Sequence, residues 1–135
     1  MKTALIENNK NDWKSWSPKR GDVVLVNMGN EGLKGSEFKG LRPAVIISNN
    51  INNQHSTVIQ IAPLTSTQGK QHLPVHVRLD QRDKLRSPSL VCLEQAKTIS
   101  KERAFIDNNI IHITTLSVNK LNEIDYALKI QFGLI

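Results

Sequence analysis

The sequence predicts an α+β fold, a small antiparallel β-barrel followed by one C-terminal amphipathic helix. Short apolar segments separated by clusters of Gly, Pro, Asn, Asp and Ser fill most of the chain, which is the pattern of short strands joined by turns. A helical repeat of apolar residues occurs only near the C-terminus. Strands that do not alternate with helices favour an antiparallel sheet or barrel over a parallel wound sheet.

The length of 135 residues is that of one domain, because each half of such a chain would bury too little apolar surface to be stable alone. We expect residues 1–17 to form an N-terminal extension and residues 18–135 to form the domain. The extension is rich in Asn and Lys, and Trp13 and Trp16 are spaced so that both indoles lie on one side of a short helical turn. A mobile tip followed by a docked turn is therefore predicted.

Six strands are predicted from apolar or alternating segments bounded by turn residues. In VHVRL, the polar residues His76 and Arg78 face away from the apolar ones, and the fifth segment is long enough to bend. The segments are VVLV at 23–26, RPAVIIS at 42–48, STVIQIAPL at 56–64, VHVRL at 75–79, SLVCLEQAKTI at 89–99 and NIIHI at 109–113.

Two serines and one turn cluster complete the prediction. Ser100 is expected to cap a short helical turn, and Ser117 is expected to cap the terminal helix. Residues 49–53 are predicted to form a turn. Residues 27–41 contain four glycines and are predicted to form a long loop, and loops of this length are often functional.

Composition excludes several classes of function. No apolar run approaches the roughly 18 residues of a membrane span, and the N-terminus does not resemble a secretory signal, so a cytoplasmic protein is expected. The single cysteine, Cys92, lies in an apolar run and is expected to be buried and inert. The net charge of +6 favours an anionic partner, with nucleic acid first and an acidic protein segment second.

Motifs for nucleotide or metal binding are not found in the sequence. It has no phosphate-binding glycine motif, no HExxH and no CxxC pair. The four histidines are irregularly spaced, and carboxylates such as Glu94 and Glu102 alternate with Lys and Arg as on a solvated charged face. We therefore expect neither a cofactor nor a metal.

Two strands each place a polar side chain where a strand meets a loop. Arg42 begins the segment RPAVIIS, and Thr65 follows IAPL. If these strands are neighbours, a guanidinium and a hydroxyl lie together on the rim of one sheet, where they suit a phosphate. Two alternatives remain open: Arg42 caps an exposed edge or pairs with Glu37, and Thr65 closes a local turn.

Taken together, six segments resemble the MazF/PemK toxins, the endoribonucleases of toxin–antitoxin pairs. The resemblance covers about residues 19–132 and rests on KRGDVVLV, GSEFKGLRPAVIIS, IAPLTS, LPVHVRL, LVCLEQAKTIS and LNEIDYALKI, in that order. It implies an SH3-like (CcdB/MazF-type) barrel that forms a homodimer. It also implies metal-independent cleavage of single-stranded RNA, chiefly mRNA, to 2′,3′-cyclic phosphate and 5′-OH ends. The expected inhibitor is a cognate antitoxin with an acidic, partly disordered C-terminal segment.

The resemblance also assigns roles to residues at matching positions. Arg42 and Thr65 correspond to the catalytic arginine and hydroxyl, residues 35–37 to a mobile lid, and Ser89 and Gln95 to positions that read bases. The general base is left open between His76 and Glu37. The predicted RNA-binding residues are Ser36, Glu37, Lys39, Ser66, Lys70, His76, Ser89 and Gln95.

Two rival functions remain open on the sequence. The same barrel occurs in toxins that poison DNA gyrase by protein contact alone, because a fold does not determine a function. A catalytically inactive regulator that binds nucleic acid through its basic surface is the second rival.

Overall fold

The computed structural model describes residues 4–7, 12–29, 40–66 and 73–135. Within them lie nine strands and two α-helices, with short 3₁₀ turns between some of them. The strands are β1 (Ala4–Glu7), β2 (Asp22–Asn27), β3 (Leu41–Ile46), β4 (Val58–Ser66), β5 (His76–Leu79), β6 (Ser89–Cys92), β7 (Lys97–Ser100), β8 (Phe105–Ile106) and β9 (Asn109–Thr115). The helices are α1 (Asn50–His55) and α2 (Val118–Gln131).

All the strand pairings are antiparallel, and they confirm the predicted α+β class with its C-terminal helix. The sheet order is β1–β9–β2–β3–β4–β6–β5, with β7 paired to β4 and β8 paired to β9. Among the described residues these pairings form an open path and not a closed ring. The long strand β4 pairs with β7 through Val58–Ile61 and with β6 through Leu64–Ser66, so it passes from one half of the sheet into the other.

The predicted fifth strand is two strands, which is a correction to the sequence interpretation. A 3₁₀ turn at Leu93–Gln95 separates β6 from β7, and Leu93 is completely buried at its start. The predicted turn at 49–53 is also wrong, since α1 begins there. The side chain of Asn49 accepts a hydrogen bond from the Asn52 amide at 2.8 Å and caps this helix, which turn-forming asparagines do well.

Both predicted serine caps are confirmed. Ser117 accepts a hydrogen bond from the Lys120 amide at 3.2 Å and begins α2, and Ser100 accepts from the Glu102 amide at 3.2 Å and begins a 3₁₀ turn. Among the described residues, no helix is both long and apolar enough to cross a membrane.

The N-terminal extension contributes an edge strand to the sheet. β1 pairs with β9 in antiparallel register, whereas the sequence predicted only a mobile tip. The docked turn is confirmed: a 3₁₀ turn spans Asp12–Ser15, and Trp16 packs edge-on against Phe105 with ring centroids 6.0 Å apart. An aromatic pair of this geometry contributes about 0.5–1.5 kcal/mol beyond the area it buries.

Two apolar clusters hold the sheet, one on each face. The helix-side core joins the sheet to α2, and the tryptophan-side core lies beneath Trp16 and Phe105. Alternation along the strands divides neighbouring residues between the clusters, so Val23 belongs to the first and Val24 to the second. The helix-side core includes Val23, Val45, Ala62, Leu64, Val77, Val91, Ile124 and Ala127, and the tryptophan-side core includes Val24, Ala44, Ile46, Ile61, Ile99 and Ile110.

Lys101 is a cation enclosed in this apolar structure. Its side chain is 0% exposed, and its Nζ has no hydrogen-bond partner among the described residues. Burial lowers the pKa of Lys101 below its ordinary value of 10.5, because the charged form loses its hydration. The lysine is therefore a destabilising feature of the folded state.

Replacing Lys101 with methionine is expected to stabilise the protein by about 1–3 kcal/mol, the usual cost of a buried unsatisfied polar group. The unfolded chain binds the Lys101 proton more tightly than the folded chain, so the contribution of Lys101 to the stability of the wild type should rise with pH until the pH reaches 10.5. Urea unfolding at neutral and alkaline pH measures both effects. Lys129→Met, which changes an exposed lysine, is the matched control. A Lys101→Met protein less stable than the wild type would show that the amine has a stabilising partner.

Candidate active site

The pairing of β3 with β4 stops two residues short of Arg42 and Thr65. It runs from Ile46 opposite Ile61 to Ala44 opposite Pro63, and the same register continued by two residues would set Arg42 opposite Thr65. Directly opposed residues of an antiparallel pair project from the same face of the sheet. The two strands are therefore neighbours, as the sequence analysis required.

Proline explains why the ladder ends beside these two residues. Pro43 has no amide hydrogen, so β3 loses a backbone donor next to the place where its pairing with β4 stops. Arg42 and Thr65 are both half-buried at the place where the strands part. A planar cation and a hydroxyl facing each other across such an opening can both donate hydrogen bonds to one phosphate.

Two further strands extend the same face. Thr65 lies opposite Leu90 of β6, and Leu90 lies opposite Arg78 of β5, so the three form one row across the sheet. His76 and Cys92 oppose each other in the next row and share this face by alternation. Arg78 is exposed, so its guanidinium adds positive charge to this surface.

His76 is held by hydrogen bonds at both ring nitrogens. Its Nδ1 accepts from the Leu73 amide at 3.1 Å, and its Nε2 lies 2.7 Å from Oε2 of Glu94. Acceptance at Nδ1 places the proton of the neutral ring on Nε2, which then donates to Glu94. The His76 side chain is only 8% exposed, so its orientation is fixed by contacts in the protein.

The remaining predicted residues that the structure describes lie elsewhere. Ser66 and Ser89 oppose each other, and because they are one residue out of phase with Thr65 and Leu90 they project from the other face of the sheet. The Ser89 hydroxyl donates to the Ser87 carbonyl at 3.2 Å. Gln95 ends the 3₁₀ turn after β6 and is half-buried. The other four predicted RNA-binding residues lie outside the described residues: Ser36, Glu37, Lys39 and Lys70.

Glu94 and Arg78 are the residues that sequence reasoning missed. Glu94 was grouped with carboxylates on a solvated face, and this is wrong, because it pairs with His76 and one of its oxygens is buried. Arg78 already shared a face with His76 in the alternation of VHVRL. The sequence did not reveal the strand register, which places Thr65, Leu90 and Arg78 in one row on this face.

Comparison with known proteins identifies the family of this chain. Residues 19–132 match the family described as PemK-like, MazF-like toxin of type II toxin–antitoxin system. The chain belongs to this family. Within the MazF/PemK family it is 37% identical over 117 residues to an "Endoribonuclease MazF" of Staphylococcus epidermidis, covering 86% of this chain and 92% of that protein.

Solved structures of MazF toxins show the same fold. An endoribonuclease in complex with its cognate antitoxin from Mycobacterial species is 24% identical, with a TM-score of 0.68 over 87% of this chain and 97% of that one. A MazE-MazF crystal structure from Deinococcus radiodurans is 21% identical, also with a TM-score of 0.68, over 89% of this chain and 99% of that one. The antiparallel sheet with a C-terminal helix is thus the architecture of this toxin family.

Proposed function

We propose that this member of the MazF/PemK family is a metal-independent endoribonuclease toxin that cleaves single-stranded RNA, chiefly mRNA. The observation that supports the proposal is the pairing of β3 with β4, which would set Arg42 opposite Thr65 if it continued two residues beyond Ala44 and Pro63. The relative from Staphylococcus epidermidis is named as an endoribonuclease and covers most of the chain, which supports the enzyme class.

The reaction uses a nucleophile that the RNA itself supplies. The 2′-hydroxyl oxygen attacks the adjacent phosphorus, the bond from phosphorus to the 5′-oxygen breaks, and the products carry a 2′,3′-cyclic phosphate and a 5′-hydroxyl. Arg42 stabilises the charge that develops on the phosphorane oxygens, because a guanidinium donates two parallel hydrogen bonds to such a group. Thr65 donates to a phosphate oxygen or orients the 2′-hydroxyl, since an unassisted threonine hydroxyl is a poor base at neutral pH.

His76 does not suit the role of general base. Its Nδ1 lone pair accepts from the Leu73 amide, and its Nε2 is engaged with Glu94. It also lies two strands from Thr65, about 10 Å at the usual spacing of strands. The role of His76 in RNA binding stays a prediction. Glu37, the other predicted base, lies outside the described residues.

Unpaired RNA is the proposed substrate. A single strand exposes its bases for recognition, whereas an A-form duplex hides base edges in a deep, narrow groove. Arg78 ends the cross-strand row that begins at Thr65, and its guanidinium would contact a backbone phosphate. Phosphate contacts of this kind fix the register of the RNA, and contacts to the bases supply specificity.

An antitoxin and a second copy of the chain are the proposed protein partners. Two of the similar solved structures are complexes with an antitoxin, which supports such a partner here. An acidic, partly disordered segment of the antitoxin would compete with RNA for the basic face. Phe132 and Leu134 are more than 60% exposed and line one groove after α2, and a homodimer would cover such an apolar surface.

Incubation of the purified protein with a long single-stranded RNA in EDTA tests the function. We expect new RNA ends with a 5′-hydroxyl and a 2′,3′-cyclic phosphate, because no step needs a bound metal. Mapping of the 5′ ends and of the terminal phosphate chemistry measures this result. Intact RNA would contradict the nuclease function and favour a toxin that acts by protein contact. Ends that bear a 5′-phosphate would indicate a different cleavage reaction.

A further inference from the structure

Three side chains of different chemistry converge beside the proposed RNA surface. His76, Cys92 and Glu94 each place one ligand atom within 4.8 Å of the other two. His76 and Cys92 are opposed across β5 and β6, and Glu94 follows in the 3₁₀ turn two residues after Cys92. Backbone pairing therefore holds two of the three residues side by side before any ligand is present.

One carboxylate oxygen of this cluster is buried without a hydrogen-bond partner among the described residues. Oε1 of Glu94 is buried and has no hydrogen-bond partner among the described residues, while Oε2 lies 2.7 Å from His76. A buried acceptor without a partner is costly, and a cation is the partner that would relieve this cost most. Cys92 is 3% exposed, and one of its contacts, at 3.8 Å from Sγ to the Leu90 carbonyl, is a weak hydrogen bond.

We propose that His76, Cys92 and Glu94 form a binding site for Zn²⁺. An imidazole nitrogen, a thiolate and a carboxylate are the ligand types of zinc, whereas Mg²⁺ and Ca²⁺ take oxygen ligands alone. Bond lengths of about 2.0–2.3 Å to a tetrahedral zinc set the ligand atoms about 3.3–3.7 Å apart. Atoms that already lie within 4.8 Å of one another reach this spacing by small side-chain shifts.

Zinc binding involves two proton movements that make it depend on pH. The Cys92 thiol loses its proton to solvent as the bond from sulfur to zinc forms. Zinc takes the place of the proton on Nε2 of His76, the ring is protonated at Nδ1 instead, and the Leu73 amide exchanges its hydrogen bond with Nδ1 for one with water. One proton is released overall, so zinc should bind more tightly as the pH rises.

Zinc would change the charge beside the proposed RNA surface, and this consequence rests on the proposed function. Exchange of one proton for Zn²⁺ adds one positive charge next to the face that Thr65 and Arg78 share, so zinc should strengthen the attraction of RNA to this face.

Cobalt titration of the full-length protein tests the site without any RNA. Co²⁺ reports tetrahedral sulfur ligation through a near-ultraviolet charge-transfer band and visible bands, and added Zn²⁺ should abolish them. We expect both sets of bands with the wild type and no charge-transfer band with Cys92→Ala, because that variant lacks the thiolate. Zinc affinity should fall by more than about 100-fold in Cys92→Ala and in Glu94→Gln, since losing a ligand costs at least as much as losing a supporting residue.

Two controls make the result decisive. Glu102→Gln changes an exposed acid and should leave the bands unchanged. Cys92→Ala should cut RNA like the wild type in EDTA, and added zinc should tighten RNA binding by the wild type but not by Cys92→Ala. A wild type that shows no charge-transfer band at millimolar Co²⁺, or a Cys92→Ala protein with the same band, would overturn the site. If RNA stays intact with every variant, and the charge-transfer band is seen with the wild type but not with Cys92→Ala, the metal site is supported and the nuclease function is contradicted.

Discussion

Replacing Arg42 with alanine is expected to lower the rate of RNA cleavage by about 10²- to 10³-fold, because removing one preorganised donor to a developing oxyanion costs about 3–4 kcal/mol of barrier. The loss should fall mainly on kcat, since the charge on the phosphorane oxygens is greatest in the transition state. The cleavage rate of Arg42→Lys should lie between the rates of the wild type and Arg42→Ala, because an ammonium keeps the charge but lacks the planar fork of donors. Single-turnover cleavage of a short RNA in EDTA measures all three.

Arg82→Ala is the matched control for charge. The Arg82 side chain is 91% exposed and pairs at 2.9 Å with Asp80, whose pKa is lowered by that hydrogen bond. Losing an exposed ion pair of this kind changes stability little. Arg42→Ala protein that folds normally and cuts RNA as fast as Arg82→Ala protein would show that Arg42 is not catalytic, even if the nuclease activity is real.

Replacing Thr65 with valine is expected to slow cleavage by about 10- to 100-fold, close to the effect of one hydrogen bond to a charged group. Valine keeps the branched shape that suits β4 and removes only the hydroxyl, so the position of the strand should be preserved. Because Thr65 orients the reacting phosphate or the 2′-hydroxyl, the loss should appear in kcat more than in KM. Steady-state cleavage over a range of RNA concentrations separates the two constants.

Thr98→Val makes the same chemical change at an exposed threonine of β7 and should leave both constants unchanged. The double variant Arg42→Ala/Thr65→Val adds a test of the pairing itself. If the two side chains act on one phosphate, the double variant should lose less than the product of the two single losses. A loss in the double variant equal to the product of the two single losses would indicate that the two residues act independently.

Local sequence determined most of the secondary structure. Alternation predicted the faces of β5, and serine caps predicted the starts of α2 and of the 3₁₀ turn after β7. These signals are readable because they depend on residues within one turn or one strand. The predicted turn at 49–53 failed for the same local reason, since Asn49 favours both a turn and a helix cap.

The candidate site was only partly readable from the sequence. Arg42 and Thr65 could be singled out because each ends a buried segment, and the resemblance to the MazF/PemK family chose between catalytic and structural roles. Their juxtaposition depends on the register of two strands that are about twenty residues apart. Local propensity does not encode which residue of one strand faces which residue of another, because register is set by turns and by the burial of both faces.

The sequence by itself determined the fold class, the basic charge and the two residues expected to meet the phosphate. The tertiary structure alone decided that Thr65 lies on the face that Arg78 and His76 share and that Ser66 and Ser89 lie on the other. It also decided that Glu94 is partly buried beside His76, while Lys101 is enclosed among apolar residues. The physical reason is that strand register and burial arise from contacts between distant segments, which no local pattern of residues specifies.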